Sequence, residues 1–446
     1  MMNPTNPLDN LKAPGSLLEQ KTSETKVFRD PIHGYIRVEY QIIWDLINSR
    51  EFQRLRRIHQ LGGVSLVYHN AEHTRFSHSL GVYELCRRMI TEVDSIRSIL
   101  NQQEQITVLI AALLHDIGHG PYSHFFESIS KINHEDLGTM IIESDQTEIN
   151  QILEKAQNGL SKRVTSILKK ESEPHLMSSM ISSQIDADRM DFLLRDAFET
   201  GTTYGNFDLE RILRTLRADQ DSLFIKKSGI HSVEDYIMAR YQMYFQVYQH
   251  PDSYGYELLI ERFFKRLEQI ENENQMMNKD LDPDKQMIDM ASDLKNPLRM
   301  LHKGQIHLLD ETLLNMVIRR ALDCHDEILK DLAERIINRK LFKWMDQPGD
   351  QDLKIIRAEL KKHNLPESIY LQEIELSTGE YLPYHEKSEP ILVLDMDGSR
   401  KYLSECSAIA KALLSVQKPD SHRIYFPELI LDTLIKDQTD NKNSYD

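Results

Sequence analysis

The chain has 446 residues, 40% of them hydrophobic, which suffices for a large buried core and for two or three packed subdomains. Its formal charge of −16 argues against nucleic-acid binding, because a phosphate backbone is bound mainly by clustered Lys and Arg. No apolar run reaches the roughly 20 residues that cross a bilayer, residues 1–20 lack a signal-peptide pattern and the 3 cysteines are scattered, so we expect a cytoplasmic protein with no membrane partner.

In chain order, the pattern predicts a mainly α-helical protein. Residues 1–25 are rich in Pro, Asn, Ser and Lys without periodicity, which is typical of a disordered tail. Residues 26–256 carry apolar side chains at helical spacing and predict a helical core domain with a small β-hairpin around the turn at 218–221. The predicted helices of this core span 42–47, 51–58, 80–90, 106–115, 181–197 and 233–248.

The second half of the chain predicts two further units. Residues 257–346 favour a helical extension, in which the polar stretch 271–295 indicates a mobile connector. Residues 347–446 mix both periodicities and predict a small C-terminal α+β module. The predicted elements of these units are helices at 308–320, 327–338 and 404–414 and strands at 370–376 and 391–394.

An adjacent His-Asp pair, His115 and Asp116, directly follows an apolar helical stretch. His78 lies upstream and Asp188 downstream, each in another predicted helix. A divalent metal needs imidazole nitrogens and carboxylate oxygens from separate elements, with positions left open for water and substrate. One histidine alone is more often a structural residue, but the ordered set predicts that these four side chains converge on one ion.

Several longer motifs surround these residues in a fixed order. They are FRDPIHG at 28–34, RLRRIHQLG at 54–62, RFSHSLG at 75–81, LHDIGHGPYSH at 114–124 and IDADRMD at 185–191. Together they resemble the HD-domain deoxynucleoside triphosphate triphosphohydrolases, and most closely the bacterial branch related to the animal enzyme that carries a sterile-alpha-motif domain. The resemblance spans residues 26–259, and we expect no sterile-alpha-motif domain in this chain.

The resemblance implies an HD-domain helical core and a metal-dependent reaction. Enzymes of this family cleave between the α-phosphate and the 5′ oxygen, releasing the deoxynucleoside and intact triphosphate, and dGTP is an expected substrate. His78, His115, Asp116 and Asp188 match the ligands of one divalent transition metal, which could be Fe, Mn, Zn or Ni, with Mg²⁺ on the triphosphate. Asp186 shares the motif of Asp188 but matches a structural position.

The resemblance also implies a set of catalytic residues. His119, His124 and His134 match pocket histidines, and Glu127 would hydrogen-bond one of them, for which we predict His134. A His-carboxylate dyad near the leaving 5′ oxygen is a suitable proton donor. Judged by its local sequence alone, His134 would be an ordinary histidine at the start of a helix.

A further set of residues matches the substrate contacts of the family. Arg75, Arg189 and Arg240 match phosphate contacts, for which permanently charged planar guanidinium groups are suited. Phe192 stands where a tyrosine is usual, and Arg189 where the animal enzyme has lysine, so substrate preference can depart from that of the family. The residues that match the sugar and base end are Gln60, Leu61, Asp196, Tyr248 and Gln249.

Lys26, Val27, Gln53 and Arg56 match a nucleotide effector site that lies between subunits in family members that act as tetramers. The resemblance therefore implies a homotetramer and an activating nucleotide, dGTP or GTP. For charged residues at the start of a domain, simple solvation at the surface is an equally good explanation.

The segment Leu394-Asp395-Met396-Asp397-Gly398 imitates the nucleophile motif of haloacid-dehalogenase-like phosphatases. Too few residues follow it for the α/β core that this chemistry requires, so we predict a hairpin with an Asp-Gly turn. Two other functions remain open on the sequence: a nucleotidase or phosphodiesterase on the same scaffold, and a catalytically silent sensor of deoxynucleoside triphosphates.

Overall fold

The computed structural model describes residues 17–277, 284–376, 384–386, 390–415 and 421–435, and over these the predicted mainly α-helical architecture is confirmed. The first element is an antiparallel pair of strands, β1 (Lys21–Asp30) and β2 (Gly34–Tyr40). The predicted tail is therefore too long, because residues 21–25 belong to β1 and Leu18 is fully buried. Residues 1–16 lie outside the described part of the chain.

The helical core follows the hairpin. Its elements are α1 (Gln41–Asn48), α2 (Arg50–Arg54), α3 (Arg75–Glu92), α4 (Asp94–Ile99), α5 (Gln102–Leu114), α6 (His124–Ser130), α7 (His134–Glu143), α8 (Glu148–Ala156), α9 (Leu160–Leu168), α10 (Leu176–Ser179), α11 (Ala187–Thr200), α12 (Leu209–Thr215), β3 (Leu216–Ala218), β4 (Leu223–Lys226) and α13 (Ile230–Met243). The predicted hairpin at the 218–221 turn is confirmed, since β3 and β4 pair antiparallel.

Helix α5 lies at the centre of this core. A capping box of Asn101 and Glu104 fixes its start, and every residue from Ile106 to Leu114 is buried. A helix that is apolar on all sides requires partners on all sides, and α5 packs against both α3 and α9. Because α11 packs on α3 in turn, the ends of these three helices that carry the predicted metal ligands come together.

The remaining elements begin after a single π-helical turn at Tyr244–Tyr248. They are α14 (Pro251–Met277), α15 (Lys285–Lys295), α16 (Pro297–His302), α17 (Glu311–Ala321), α18 (Glu327–Ile337), β5 (Phe342–Asp346), α19 (Asp350–Lys362), α20 (Glu367–Tyr370), β6 (Gln372–Leu376), β7 (Leu392–Leu394), β8 (Arg400–Tyr402), α21 (Leu403–Cys406), α22 (Ala408–Leu414) and β9 (Ser421–Pro427).

The prediction of a mobile connector at 271–295 is wrong for most of its length, because this stretch is largely helical. α14 continues to Met277 and α15 starts at Lys285, so residues 278–283 are the part outside the described chain. Helix α15 is amphipathic and buries Met287 and Leu294, and it packs on α17. Its abundant charges lie on the outer face, which explains why composition alone indicated a loop.

Strands of the C-terminal segment pair with strands of the preceding units. Strand β7 pairs parallel with β4 of the core, with Val393 opposite Ile225. Strand β9 lies between β5 and β6, so the predicted boundary at residue 347 cuts through a sheet. β7 and β8 form the predicted hairpin, and Gly398 takes a positive φ of 84° in its turn. Among the described helices, none is long and apolar enough to cross a membrane.

Candidate active site

Four predicted metal ligands meet where α3, α5 and α11 approach one another. Nε2 of His78 lies 3.3 Å from Nε2 of His115 and 3.1 Å from Oδ1 of Asp188. The carboxylate of Asp116 lies 3.3 Å from Nε2 of His115 and 3.7 Å from Nε2 of His78. Ligands that share a small ion at about 2.1 Å are separated by about 3 to 3.5 Å. The donor set therefore fits a divalent metal ion.

The other ring nitrogens of the two histidines are already engaged. Nδ1 of His78 lies 2.8 Å from Oδ2 of Asp191, and Nδ1 of His115 lies 2.9 Å from the carbonyl oxygen of Ala112. Since a carbonyl oxygen only accepts, Nδ1 of His115 carries the proton and Nε2 presents its lone pair to the site. Asp191 can orient His78 in the same way.

Electrostatics at the site favours a bound cation. Burial lowers the pKa of His78, but hydrogen bonds to Asp188 and Asp191 outweigh it and raise that pKa to about 10. Although burial acts to raise the pKa of Asp116, nearby Arg75 and His115 hold it well below its usual range. The carboxylates are thus ionised, and the same negative groups that stabilise a proton on His78 stabilise a metal cation in its place.

The structure shows a buried network behind His78 that the sequence reasoning missed. Asp191 accepts from Nε2 of His33 at 2.6 Å and pairs with Arg195, which also binds Asp30 at 2.8 Å. A Cβ on Gly81 would lie 1.8 Å from the Asp191 carboxylate, so this position has no room for a side chain. His33 and Asp191 stand inside the quoted motifs, and only the contact between the turn that follows β1 and helix α11 reveals their roles.

A second cluster, formed by His119, Glu127 and His134, adjoins the metal ligands. Nε2 of His119 lies 3.3 Å from Oδ1 of Asp116, and its ring stacks on that of His134 with centroids 3.9 Å apart. Burial and the neighbouring Arg75 hold the pKa of His119 well below its usual range. The contact predicted for Glu127 is present, 2.5 Å from Nδ1 of His134. His124 begins α6, but its side chain lies outside the described part of the structure.

The predicted phosphate-binding arginines differ in their surroundings. Nε of Arg75 donates to Oγ of Ser123 at 2.8 Å, and its guanidinium pairs with Asp116. Arg189 pairs with Asp186, which also caps α11 through a hydrogen bond from the Arg189 backbone, in keeping with a structural role for Asp186. Among the described residues, the buried Nη1 of Arg240 has no hydrogen-bond partner. That atom is a donor available to an anion.

The predicted sugar and base residues lie around the π-helical turn. The hydroxyl of Tyr248 donates to Oδ2 of Asp196 at 2.7 Å, and Nε2 of His73 lies 2.7 Å from the other oxygen. Phe192 stands between His78 and Tyr248, with ring centroids 6.5 and 6.0 Å away. His73, which directly precedes the Thr74-Arg75 pair, is a buried member of this cluster that sequence reasoning did not single out.

The other predicted contacts of the sugar and base end lie on either side of this cluster. The side-chain oxygen of Gln60 is buried and, among the described residues, has no hydrogen-bond partner. Leu61 is partly buried against the core, at the start of a short 3₁₀ turn. Gln249 follows the π-helical turn and donates from its backbone to Tyr244 at 3.0 Å.

The predicted effector residues occupy two separate elements. Nε of Arg56 donates to Oε1 of Gln53 at 2.9 Å, and its guanidinium carbon lies 3.5 Å from the ring centroid of Phe76. On β1, Lys26 pairs with Glu24 at 2.8 Å, and Val27 is 55% exposed. The structure thus places the four residues in two pairs on different elements, with Arg56 and Val27 as the exposed members.

Comparison with known families agrees with this arrangement. Residues 75–196 match the family described as HD domain, and residues 207–303 match the HD associated region. The first range contains all four converging ligands, and the second contains Arg240 and Tyr248. The fold and the site together define an HD-domain protein.

The chain is also similar to individual proteins over much of its length. It is 41% identical to YwfO of Bacillus subtilis over 92% of this chain and 94% of that protein. It is also 26% identical, over 72% of its length, to the deoxynucleoside triphosphate triphosphohydrolase SAMHD1 homolog of Dictyostelium discoideum, of which it spans 60%. The crystal structure of a phosphohydrolase from Bacteroides thetaiotaomicron matches 91% of this chain and 100% of that one, with TM-score 0.77 and 28% identity. The chain belongs to the HD-domain phosphohydrolases, in one family with YwfO.

Proposed function

We propose that this protein hydrolyses deoxynucleoside triphosphates, dGTP among them, to the deoxynucleoside and inorganic triphosphate. The observation that carries the proposal is the convergence of His78, His115, Asp116 and Asp188. The Nε2 atoms of the two histidines lie 3.1 to 3.7 Å from each other and from a carboxylate oxygen of each aspartate, beside a second histidine cluster. The similarity to a protein named as a deoxynucleoside triphosphate triphosphohydrolase supports this choice of substrate.

These four residues would hold one divalent transition metal, for which imidazole and carboxylate ligands suit Fe, Mn, Zn or Ni alike. When bound, such an ion polarises a phosphoryl oxygen and makes a water molecule a stronger nucleophile. A Mg²⁺ ion would accompany the triphosphate and offset part of its charge. The rest of the chemistry falls to the side chains of this chain.

Binding of the triphosphate is assigned to Arg75 and Arg240. Arg75 is buried, and so is Nη1 of the partly buried Arg240, which has no partner within the described structure. An anionic ligand would therefore satisfy a donor that is otherwise left without one. Arg189 can contribute once substrate competes with Asp186 for its guanidinium. The net charge of −16 does not oppose this, because local donors decide binding inside a pocket.

Protonation of the leaving 5′ oxygen is assigned to the His119, Glu127 and His134 cluster. The Glu127 carboxylate, 2.5 Å from Nδ1 of His134, accepts a hydrogen bond from that nitrogen and so fixes the tautomer and orientation of the ring. A proton on Nε2 of His134 can then pass to the 5′ oxygen as the bond from that oxygen to the α-phosphorus breaks.

Discrimination against ribose is assigned to the aromatic pair Tyr248 and Phe192. The hydrogen bond from Tyr248 to Asp196 holds the phenol ring in place, so a 2′-hydroxyl packed against it would have to displace a fixed group. We further propose that the protein acts as a homotetramer activated by dGTP or GTP bound at Lys26, Val27, Gln53 and Arg56.

A substrate panel tests the proposal. Purified protein is incubated with each dNTP and NTP, with and without a second nucleotide, and the products are separated by chromatography. Deoxynucleoside together with triphosphate is expected. Release of monophosphate or orthophosphate would instead indicate a nucleotidase or phosphodiesterase, and binding without turnover would indicate a sensor.

A further inference from the structure

The loop between α5 and α6 carries two consecutive residues in a conformation that side chains rarely adopt. Tyr122 and Ser123 have φ of 55° and 56°, and neither is glycine. Such residues cost free energy and persist only where surrounding contacts fix them. This loop joins His119 to α6, so the contacts that hold it also set the geometry of the proposed site.

The contacts come from the start of α17, which is distant in sequence and lies beyond both ranges that match HD families. Glu311 is buried, and its Oε1 accepts from the backbone N–H of His59 at 2.8 Å and of Tyr122 at 3.4 Å. Its other oxygen binds Nδ1 of His59. One carboxylate thereby ties two separate segments together.

From these segments the contacts continue to the proposed phosphate-binding group. The hydroxyl of Ser123 donates to the carbonyl oxygen of His59 at 3.3 Å and accepts from Nε of Arg75 at 2.8 Å. The guanidinium of Arg75 in turn pairs with Asp116. Hydrogen bonds linked through the backbone of His59 thus lead from Glu311 to the carboxylate of Asp116, a proposed metal ligand.

Neighbouring residues strengthen the same junction. Arg54 is fully buried and donates to the carbonyl oxygens of His119 and Leu309, each at 2.9 Å. Arg57 pairs with Asp310, the N-cap of α17. Two arginines and one glutamate therefore fix α17 against the loop, so that the loop cannot shift without breaking buried polar contacts.

We propose that Glu311 is a positioning residue, which holds the loop at 119–123 in its strained conformation and thereby orients Arg75 toward the substrate phosphates. The inference rests on the proposed function for its substrate, but the loop geometry can be tested without any substrate. It gives the helical extension a part in catalysis, although that extension contributes none of the proposed metal ligands.

Two variants of Glu311 and one control variant test whether its carboxylate positions the loop. Glu311→Ala removes the acceptor, whereas Glu311→Gln keeps an oxygen that can still accept from the two backbone N–H groups. Glu327→Gln is the matched control, because Glu327 occupies the same first position of α18 behind an Asp N-cap and is exposed. Hydrogen exchange of peptides covering residues 118–123 reports directly on the loop.

We expect amide exchange in this loop to accelerate at least tenfold in Glu311→Ala, to stay within about threefold of the wild type in Glu311→Gln, and to be unchanged in Glu327→Gln. The kcat/KM for dGTP should fall at least tenfold in the alanine variant and recover in the glutamine variant at equal Tm. A purely structural role would lower Tm and leave the kcat of the folded fraction unchanged.

Exchange that is unaltered in Glu311→Ala, or equally fast in Glu327→Gln, overturns the proposal. If the alanine variant does not fold, the glutamine variant decides. A Glu311→Gln protein whose loop exchanges as slowly as the wild type, but whose kcat/KM is reduced tenfold, also overturns the proposal. Wild-type protein without dNTP hydrolysis would contradict the proposed function alone, since the exchange experiment still decides the role of Glu311.

Discussion

Nδ1 of His78 lies 2.8 Å from Oδ2 of Asp191, and both side chains are buried. The Asp191 carboxylate also binds His33 and Arg195, so a single group orients a proposed metal ligand and joins it to the N-terminal hairpin. We therefore expect metal affinity and the stability of the fold to be coupled through Asp191.

Replacing Asp191 with asparagine should weaken both properties. Loss of the carboxylate leaves Arg195 with a buried charge that, among the described residues, Asp30 alone offsets, which should lower the free energy of unfolding by about 3 kcal/mol. Metal affinity should fall by about 10- to 100-fold. Urea unfolding and metal titration of the folded protein measure the two effects, with the exposed Asp323→Asn as control. Unchanged metal affinity would refute the orienting role of Asp191.

Removal of a metal ligand and removal of Glu127 should have different effects. His115→Ala or Asp116→Ala should release the metal and abolish turnover without unfolding the chain. Glu127→Ala should retain the metal and lower kcat by about 10² to 10⁴, as is typical when general acid-base catalysis is lost. Metal analysis beside kinetics distinguishes the two groups, and equal metal loss in all three variants would contradict the division of roles.

Arg240 should strengthen substrate binding and lower the free energy of unfolding of the protein. Its buried Nη1 has no partner in the described structure, so Arg240→Met should raise the free energy of unfolding by about 1 kcal/mol while raising KM at least tenfold. Arg214 is exposed, and Arg214→Met should change neither quantity. Thermal unfolding and steady-state kinetics on the same preparations measure the two quantities. If Arg240→Met lowers the stability and leaves KM unchanged, Arg240 has a structural role and does not bind the substrate.

The stability of the protein should fall as the pH rises above neutrality, in part because of His59. Its hydrogen bond to Glu311 raises the pKa of His59 to about 9, with Glu72 adding to the effect. A histidine whose pKa is raised by folding stabilises the protein fully below its unfolded pKa of about 6.5, and that contribution disappears as the pH approaches 9. The loss should be about 1 to 3 kcal/mol after allowance for partial exposure.

Urea unfolding of the wild type and of His59→Asn between pH 6 and 9.5 measures this contribution. The difference in unfolding free energy between the two proteins should shrink as the pH rises through this range. A difference that stays constant would mean that His59 keeps the same charge in the folded and the unfolded chain.

Sequence reasoning was most effective where the chemistry depends on local motifs. The order of His78, His115, Asp116 and Asp188 was sufficient to predict that they converge, because each lies at or near the end of a periodic helix. The hairpins β3–β4 and β7–β8 and the helices α1, α3, α5 and α13 were predicted for the same reason, since hydrophobic period and turn residues are local properties. The β1–β2 hairpin and the helices α7, α8 and α9 were not predicted.

What sequence reasoning missed depends on contacts between distant segments. Glu311 and Tyr122 are separated by 189 residues, and no pattern around either one indicates their hydrogen bond. The connector was mistaken for a loop because an amphipathic helix with many charges resembles a polar linker in composition. The C-terminal segment was taken as a separate module because strand pairing, unlike helix formation, cannot be inferred from one strand alone.

The parallel pairing of β7 with β4 has a consequence for synthesis of the protein. While the chain emerges from the ribosome, the outer edge of β4 stays without its neighbour until residues 392–394 have been made. During that interval the nascent domain presents open backbone donors and acceptors that can join another chain. Protein shortened before residue 392 should therefore aggregate even though it contains every proposed catalytic group.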